Sequence, residues 1–571
     1  MSNINGKSKK DRTYDAIVVG SGISGGWAAK ELCEKGLKTI VLERGRDVKH
    51  IKDYPTANMD IWEFKNGGRV PQPVIDEHYP KQNRTGYTVR EQHKHFFVKD
   101  SEHPYNEIND KRFDWIRGYQ VGGRSLVWGR QCYRWSDYDF EANAKEGIAV
   151  DWPIRYKDIA PWYSYVEKFA GISGRKESLP QLPDSEFLPP MDFNCIEAEV
   201  AKRIKENFDD RIMTIGRTAH LTQAHNGRGQ CQSRNRCMRG CPYGAYFSSQ
   251  SATLPAAEKT GNLTIRPFSI ATEVLYDKET GKATGVRIID KDTKESVEYY
   301  AKVIFLCASA IASTSILMQS KNEAHPDGLG NESGQLGKNL MDHHFKIGAR
   351  AEFDGFEDQY FVGRRPNGIY IPRFRNLGGK TDRDYLRGFG YQGGGSRGDW
   401  HQVAESKGFG ASLKQAVQKP GGWTMNLLAF GEMLPYEDNY MQLNYDKLDA
   451  WDLPTINFNT EIKENELKMR KDMQGSAVEI LEAAGGKNVT PYEDAYGVGL
   501  GIHEMGTARM GRDRKTSVLN GNNQVWGAEN VFVTDGACLT SGSCVNPSLT
   551  YMALTARAAS YAVEQLKKQN L

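Results

Sequence analysis

Long apolar runs, blocks of like charge and abundant cysteine are all missing from this 571-residue chain, and each absence closes off a class of explanation. No stretch approaches the roughly 20 consecutive apolar residues of a membrane span, so no transmembrane segment is expected. The 75 basic and 72 acidic side chains leave a net charge of only +3. Neither sign forms a block, so nucleic acid is not the expected partner. Nine cysteines, an odd number and mostly scattered, do not make a disulfide framework. Residues 1–15 carry basic side chains but no apolar core, which reads as no ordinary signal peptide. With 39% hydrophobic and 11% aromatic residues the composition is that of a globular protein. The length suits about two domains.

The most informative stretch is residues 14–45. An apolar run over residues 16–19 reads as a buried strand and ends on Gly20-Ser21-Gly22-Ile23-Ser24-Gly25. Helical sequence follows from about Gly26 to Lys35, and a second apolar run, residues 39–42, stops at Glu43 and Arg44. Strand, glycine loop, helix and strand in this order form a dinucleotide-binding pattern. Gly20 permits a tight turn, Gly22 lets a pyrophosphate approach the backbone, and Gly25 lets helix and strand pack closely. The helix N-terminus offers free N–H groups to phosphate, and Glu43 offers acceptors to a ribose. The competing reading is an ordinary βαβ turn whose glycines serve packing. The motif alone does not separate FAD from NAD.

Residues 47–112 read as loops, with His93, His95 and His103 in packing or surface roles, since no metal-ligand spacing joins them. Order resumes around Gly122-Gly123-Arg124-Ser125, a turn pressed against a partner. Residues 151–169 read as an amphipathic helix containing Pro161, and residues 179–190 as a connector. Cys231, Cys237 and Cys241 form the one cysteine cluster, set among arginines and ending in Cys-Pro. Close thiols favour a metal or a disulfide, and iron–sulfur sites use short spacings of this kind; reduced structural thiols are the alternative. Residues 263–310 read as a β-meander closing on a buried strand at 303–307. Residues 334–494, punctuated by glycine clusters at 393–395, 408–410 and 421–422, hold strand-like runs at 427–433 and 440–445, the place for a substrate-binding sheet. Near the C-terminus stand His503 among glycines, then Asp535-Gly536, then Asn546-Pro547 opening an alanine-rich helix over 551–566. Each of these alone is usually structural.

Taken together, the glycine loop with Glu43, the Gly122-Gly123-x-Ser125 turn, residues 337–343 and the C-terminal block resemble the glucose–methanol–choline (GMC) family of flavin oxidoreductases nearly end to end. The resemblance implies an α/β chain (α+β as a whole), with a Rossmann-like FAD domain assembled from residues 1–50, 113–145, 205–335 and 495–571. Residues 51–112, 146–204 and 336–494 would supply a sheet-based substrate domain and extensions. It places FAD on Gly20, Gly22, Ser24, Gly25, Glu43, Arg44, Gly122, Gly123, Ser125, Val274, Asp535, Gly536 and Pro547, and the catalytic pair on His503 and Asn546. Asn546 stands where many members carry a second histidine. Val127 stands where pyranose oxidases carry a flavin-linked histidine, so FAD is expected to be non-covalent. The closest implied branch is the glucoside 3-dehydrogenases, which make 3-keto sugars and serve a small subunit and a cytochrome c. By that analogy Cys231, Cys237 and Cys241 would hold a [3Fe-4S] cluster. The protein would then reach the periplasm by co-export with a signal-bearing small subunit; a cytoplasmic enzyme, an oxygen-using oxidase and a non-redox lyase stay open.

Overall fold

The structure, a computed structural model, describes residues 8–360, 368–378, 382–398, 409–494 and 496–571. Residues 1–7 and Gly408, both used in the reading above, lie outside the described residues. The chain opens with strand β1 (Thr13–Val19), helix α1 (Ile23–Glu34) and β2 (Thr39–Leu42). A long excursion follows, containing α2 (Tyr156–Ala170). The chain returns with β3 (Leu263–Arg266), β4 (Ser269–Asp277), β5 (Lys282–Asp290), β6 (Ser296–Leu306) and α3 (Ala310–Gln319). A second group comprises β7 (Ile347–Phe353), β8 (Ile369–Ile371), β9 (Phe389–Arg397), β10 (Trp423–Glu432), α4 (Glu464–Ala483) and β11 (Lys487–Glu493). It closes with β12 (Ala528–Val533) and α5 (Ser548–Lys567).

The first sheet runs β12–β6–β1–β2–β3, all parallel, with β5 antiparallel to β6 and β4 to β5. Its central strands are covered on both faces, which is why residues 16–19 and 303–306 are apolar without alternation. On one face Ala28, Ala29 and Leu32 of α1 meet Ala558, Ala559 and Ala562 of α5, small side chains that let the two helices approach closely. Helix α1 begins at Ile23, three residues earlier than its sequence suggests. Ser24 and Gly25 therefore form its first turn, and the glycine loop is itself the helix N-terminus.

The second sheet runs β11–β7–β10–β9–β8 and ends on a short strand, Thr214–Ile215. That strand comes from a segment expected to build the FAD domain. β10 alternates: Trp423, Met425, Leu427 and Ala429 are buried beneath Met469, Met473, Ala477 and Ile480 of α4. Each large apolar side chain so buried contributes about 1.5–3 kcal/mol. The opposite face of β9 and β10 turns Gln392 and Phe430 toward a cavity between the sheets.

Two expectations are corrected here. Gly393, Gly394 and Gly395 are not a break but lie inside β9. A Cβ on Gly393 would stand 1.9 Å from the Asn426 carbonyl oxygen, and one on Gly395 2.8 Å from the Asn194 side chain, which caps the helix Cys195–Asn207. The strand is glycine-rich because neighbouring groups crowd its backbone. The run at 440–445 belongs to the strand Tyr440–Leu448, an edge of a separate three-stranded sheet in which Pro454–Asn459 is central and pairs on its other side with Asn106–Glu107.

Candidate functional site

The parallel strands end at a deep cavity whose wall includes Gly20, Gly22, Ser24, Glu43, Arg44, Gly123, Ser125, Asp535, Gly536, His503 and Asn546. At one end the glycine loop behaves as its sequence demands. Gly20 has φ +92°, and a Cβ there would lie 2.5 Å from the Cys307 carbonyl oxygen. A Cβ on Gly25 would lie 2.0 Å from the Gly20 carbonyl oxygen, whereas one on Gly22 meets nothing within 4 Å. Gly22 thus borders free space at the N-terminus of α1, where no side chain caps the first N–H groups. The second loop seals against the first: Gly122 N–H donates to Ser21 Oγ at 2.9 Å, and Ser125 Oγ accepts from Ser249 N–H at 3.0 Å.

Glu43 Oε2 accepts from Ser21 N–H (3.1 Å) and Ser21 O–H (2.5 Å), and Oε1 accepts from Gly45 N–H (2.9 Å). These leave one of its four acceptor positions for a ligand hydroxyl. Burial pushes its pKa upward, opposed by those donors. Arg44 lies over the Tyr119 ring at 4.9 Å and reaches Asp449 at 3.3 Å. Beside it Trp451 stacks on His103, at 5.6 Å and 14°. His103 therefore has the packing role expected of it, at the edge of the same cavity. The buried hydroxyl of Tyr551, also on the wall, has no protein partner. Loop, acid, helix end and orphaned hydroxyl fit a dinucleotide such as FAD.

At the other end stand the two expected catalytic residues. His503 Nε2 and Asn546 Nδ2 are 3.5 Å apart. His503 Nδ1 lies 2.8 Å from His343 Nδ1, and Gln392 Nε2–H donates to Asn546 Oδ1 at 2.6 Å. Burial, with His343 and Arg124 adding to it, holds the His503 pKa well below the usual histidine value, so the imidazole is neutral. Its loop is gripped by Asp342, whose carboxylate accepts from the N–H groups of Gly499 (2.8 Å), Gly501 (2.7 Å) and His503 (3.0 Å). Burial and the neighbouring Glu504 raise the Asp342 pKa to about 7. Glu504 in turn holds Arg124 in a bidentate pair at 3.0 and 2.7 Å, tying the His503 loop to the Gly122-Gly123 loop. Asp342 and His343 entered the sequence reading only as part of a motif, and Gln392 not at all. An acid–His dipeptide outside any strand pattern was the available signal for the first two; Gln392 had none.

Three expected cofactor residues act from behind the wall. Gly25 and Gly122 support the two loops, and Pro547 caps α5, so that Asn546 and Ser548 face the cavity at its N-terminus. Val274 is corrected: it lies off the wall, its N–H taken by Ser320 Oγ at 2.8 Å, and Ser269, Ile270 and Ala271 stand at the cavity instead. Val127 lines the cavity. Cys231, Cys237 and Cys241 are half-buried free thiols, with Cys231 Sγ 3.1 Å from His220 Nε2. Among the described residues no three His, Cys, Asp or Glu side chains are arranged to hold a metal ion. The three thiols as placed are not drawn together into a ligand set.

A parallel βαβ sheet opening into a dinucleotide cavity, closed by an antiparallel sheet with an imidazole–amide pair between them, defines an FAD-dependent oxidoreductase of CH–OH groups. Comparison with known sequences agrees: the GMC oxidoreductase family matches at residues 14–345 and 435–555, and the chain belongs to that family. It is 28% identical to a 2-methyl-1,2-propanediol dehydrogenase of Mycolicibacterium austroafricanum, over 96% of this chain and 94% of the relative. It is 25% identical to the fructose dehydrogenase large subunit of Gluconobacter japonicus, over 98% and 100%. Its fold matches the formate oxidase of Aspergillus oryzae with TM-score 0.59 at 12% identity, over 98% and 99% of the two chains. Among the described residues no helix is long and apolar enough to cross a membrane.

Proposed function

We propose that the protein is a dehydrogenase of a neutral sugar or glycoside, oxidising a secondary hydroxyl, with C3 of a glucoside as the specific position. The observation that carries this reading is the convergence of His503 Nε2 and Asn546 Nδ2 at 3.5 Å inside the cofactor cavity. A hydroxyl placed between them donates its proton to His503 Nε2, while its oxygen accepts from Asn546. When bound, FAD supplies the hydride acceptor. Holding the oxygen at two fixed points aims the carbon-bound hydrogen and removes the orientational cost of the step.

The substrate end supports a neutral, ring-shaped alcohol. Phe345 and Phe430 stack at 5.1 Å and 13° beside Gln392 and Ile502, giving an apolar platform with one amide at its edge. A sugar ring presents one C–H face and a polar rim to such a wall. The sugar relative named above, itself a large subunit, supports a smaller partner subunit for this chain. The reading carries with it a cytochrome acceptor and a periplasmic station reached by co-export, with a cytoplasmic enzyme as the alternative. An [3Fe-4S] cluster on Cys231, Cys237 and Cys241 rests on their spacing alone. About three iron atoms per chain in aerobically purified protein would support it, and iron-free protein with full FAD would remove it.

Anaerobic titration with a panel of glycosides, with the product identified by NMR, tests the reading. Bleaching of the flavin by a glucoside with formation of the 3-keto sugar is the expected result. A flavin that no sugar or polyol reduces would leave the lyase reading. Peroxide formed at the rate of turnover in air would favour the oxidase.

A further inference from the structure

We propose that His343 sets the tautomer of His503, so that the ring nitrogen facing Asn546 carries a lone pair. The argument starts from a group whose polarity cannot change. The Ser543 carbonyl oxygen only accepts, and His343 Nε2 lies against it, so His343 Nε2 carries a hydrogen. His343 is neutral, because complete burial lowers its pKa to about 4. Its Nδ1 is therefore a lone pair.

That lone pair faces His503 Nδ1 at 2.8 Å, so the hydrogen between them belongs to His503 Nδ1. His503 Nε2 is then left as the acceptor, 3.5 Å from Asn546 Nδ2. Asn546 Oδ1 is turned the other way, accepting from Gln392 Nε2–H, which leaves the NH₂ side of the amide toward the imidazole. Every contact in the chain pairs one donor with one acceptor. The opposite tautomer would leave two lone pairs facing each other between the imidazoles and set His503 Nε2–H against the Asn546 NH₂. With His343 wholly buried, water does not repair such mismatches cheaply.

His343 is thus a positioning residue, held in register by the pairing of its backbone with Glu432 at the end of β10. The inference rests on the reading of His503 as the base. Its first test uses FAD-loaded protein. His343→Leu removes the acceptor and should slow anaerobic flavin reduction on the order of a hundredfold, with FAD retained. His343→Asn, whose Oδ1 can take the place of Nδ1, should recover most of that loss. The second test is nitrogen NMR of ¹⁵N-histidine-labelled wild-type protein, with the His503 resonances identified by their absence in His503→Ala. A protonated Nδ1 and a bare Nε2 support the proposal.

The proposal is overturned by a protonated Nε2 on neutral His503, by wild-type reduction in His343→Leu, or by His343→Asn no faster than His343→Leu. The NMR arm holds even if His343→Leu does not fold. Slow reduction in His503→Ala with fast reduction in His343→Leu defeats this inference alone. Wild-type reduction in His503→Ala defeats the base assignment itself.

Discussion

Replacing Asp342 with alanine should separate the positioning of the base from the binding of the cofactor. The carboxylate is completely buried and accepts from three backbone N–H groups, those of Gly499, Gly501 and His503, as well as from Tyr496 O–H at 3.1 Å. Removing it leaves three amides without partners, at about 1–3 kcal/mol each. A simple sum of about 3–9 kcal/mol is an upper bound, since the vacated space admits water and the loop relaxes. Aspartate pays for burial of its charge at neutral pH, which further reduces the net loss. A net loss of about 2–5 kcal/mol is expected, read as a lowered denaturation midpoint. Displacement of the His503 loop by about 1 Å should slow anaerobic flavin reduction on the order of a hundredfold. FAD affinity should change little, because the glycine loop and Glu43 do not touch Asp342. Asp342→Asn is the graded control: its Oδ1 can still serve Gly499 and Gly501, while its NH₂ opposes the His503 N–H. It should lose about 1–3 kcal/mol. An alanine variant as stable and as fast as wild type would refute the reasoning, as would an asparagine variant worse than alanine.

Gly22→Ala should leave thermal stability nearly unchanged yet weaken FAD binding, because its Cβ enters the space beside the α1 N-terminus; Gly25→Ala, with its Cβ 2.0 Å from Gly20, should destabilise the fold by about 1–3 kcal/mol. Equal effects of the two on FAD affinity and melting would contradict the assignment of a ligand to Gly22 alone. His503→Ala should cost on the order of a hundredfold or more in flavin reduction, and Asn546→Ala less; stopped-flow reduction with FAD content checked decides this. Because the His503 pKa is held well below 6.5, His503 itself should add no acid limb to the reduction rate between pH 6 and 7; a limb there that survives Asp342→Asn, which removes the neighbouring group raised to about 7, would place a protonatable His503 in the free site. His220 and His343, with pKa values lowered to about 3 and about 4, stay neutral in the fold while the unfolded chain takes up protons near pH 6.5. These two groups should therefore lower stability as pH drops below 6.5, each with a slope of up to about 1.4 kcal/mol per pH unit until its folded pKa is reached, while Asp342, with its pKa raised to about 7, works in the opposite direction; His343→Asn should remove its own part of the slope.

Much of the first sheet was legible because its determinants are local. The apolar runs at 16–19 and 39–42, the spacing of Gly20, Gly22 and Gly25, and the acid at Glu43 all act within one βαβ unit. Gly25 is required by a contact inside that unit, with Gly20, and Gly22 borders free space at the helix end; Gly20 is pressed by a residue far away in sequence, Cys307. His503 and Asn546 were assigned by the family resemblance, since a histidine among glycines and an asparagine at a helix start are each usually structural on their own.

What only the tertiary structure decided depends on groups far apart in sequence. Asn194 and Glu197 reach the backbone of Gly395, so three glycines that resemble a turn lie inside a strand. Ser320 takes the Val274 N–H and removes that residue from the cavity. Asp342 is 161 residues from the His503 amide it fixes, Gln392 is 154 from Asn546, and the Ser543 carbonyl that orients His343 is 200 residues away. The sequence by itself determined which residue types could bind a dinucleotide and move a proton. The direction of each hydrogen bond among them was decided by folding, because a donor or acceptor role is assigned by the partner that packing brings within 3 Å.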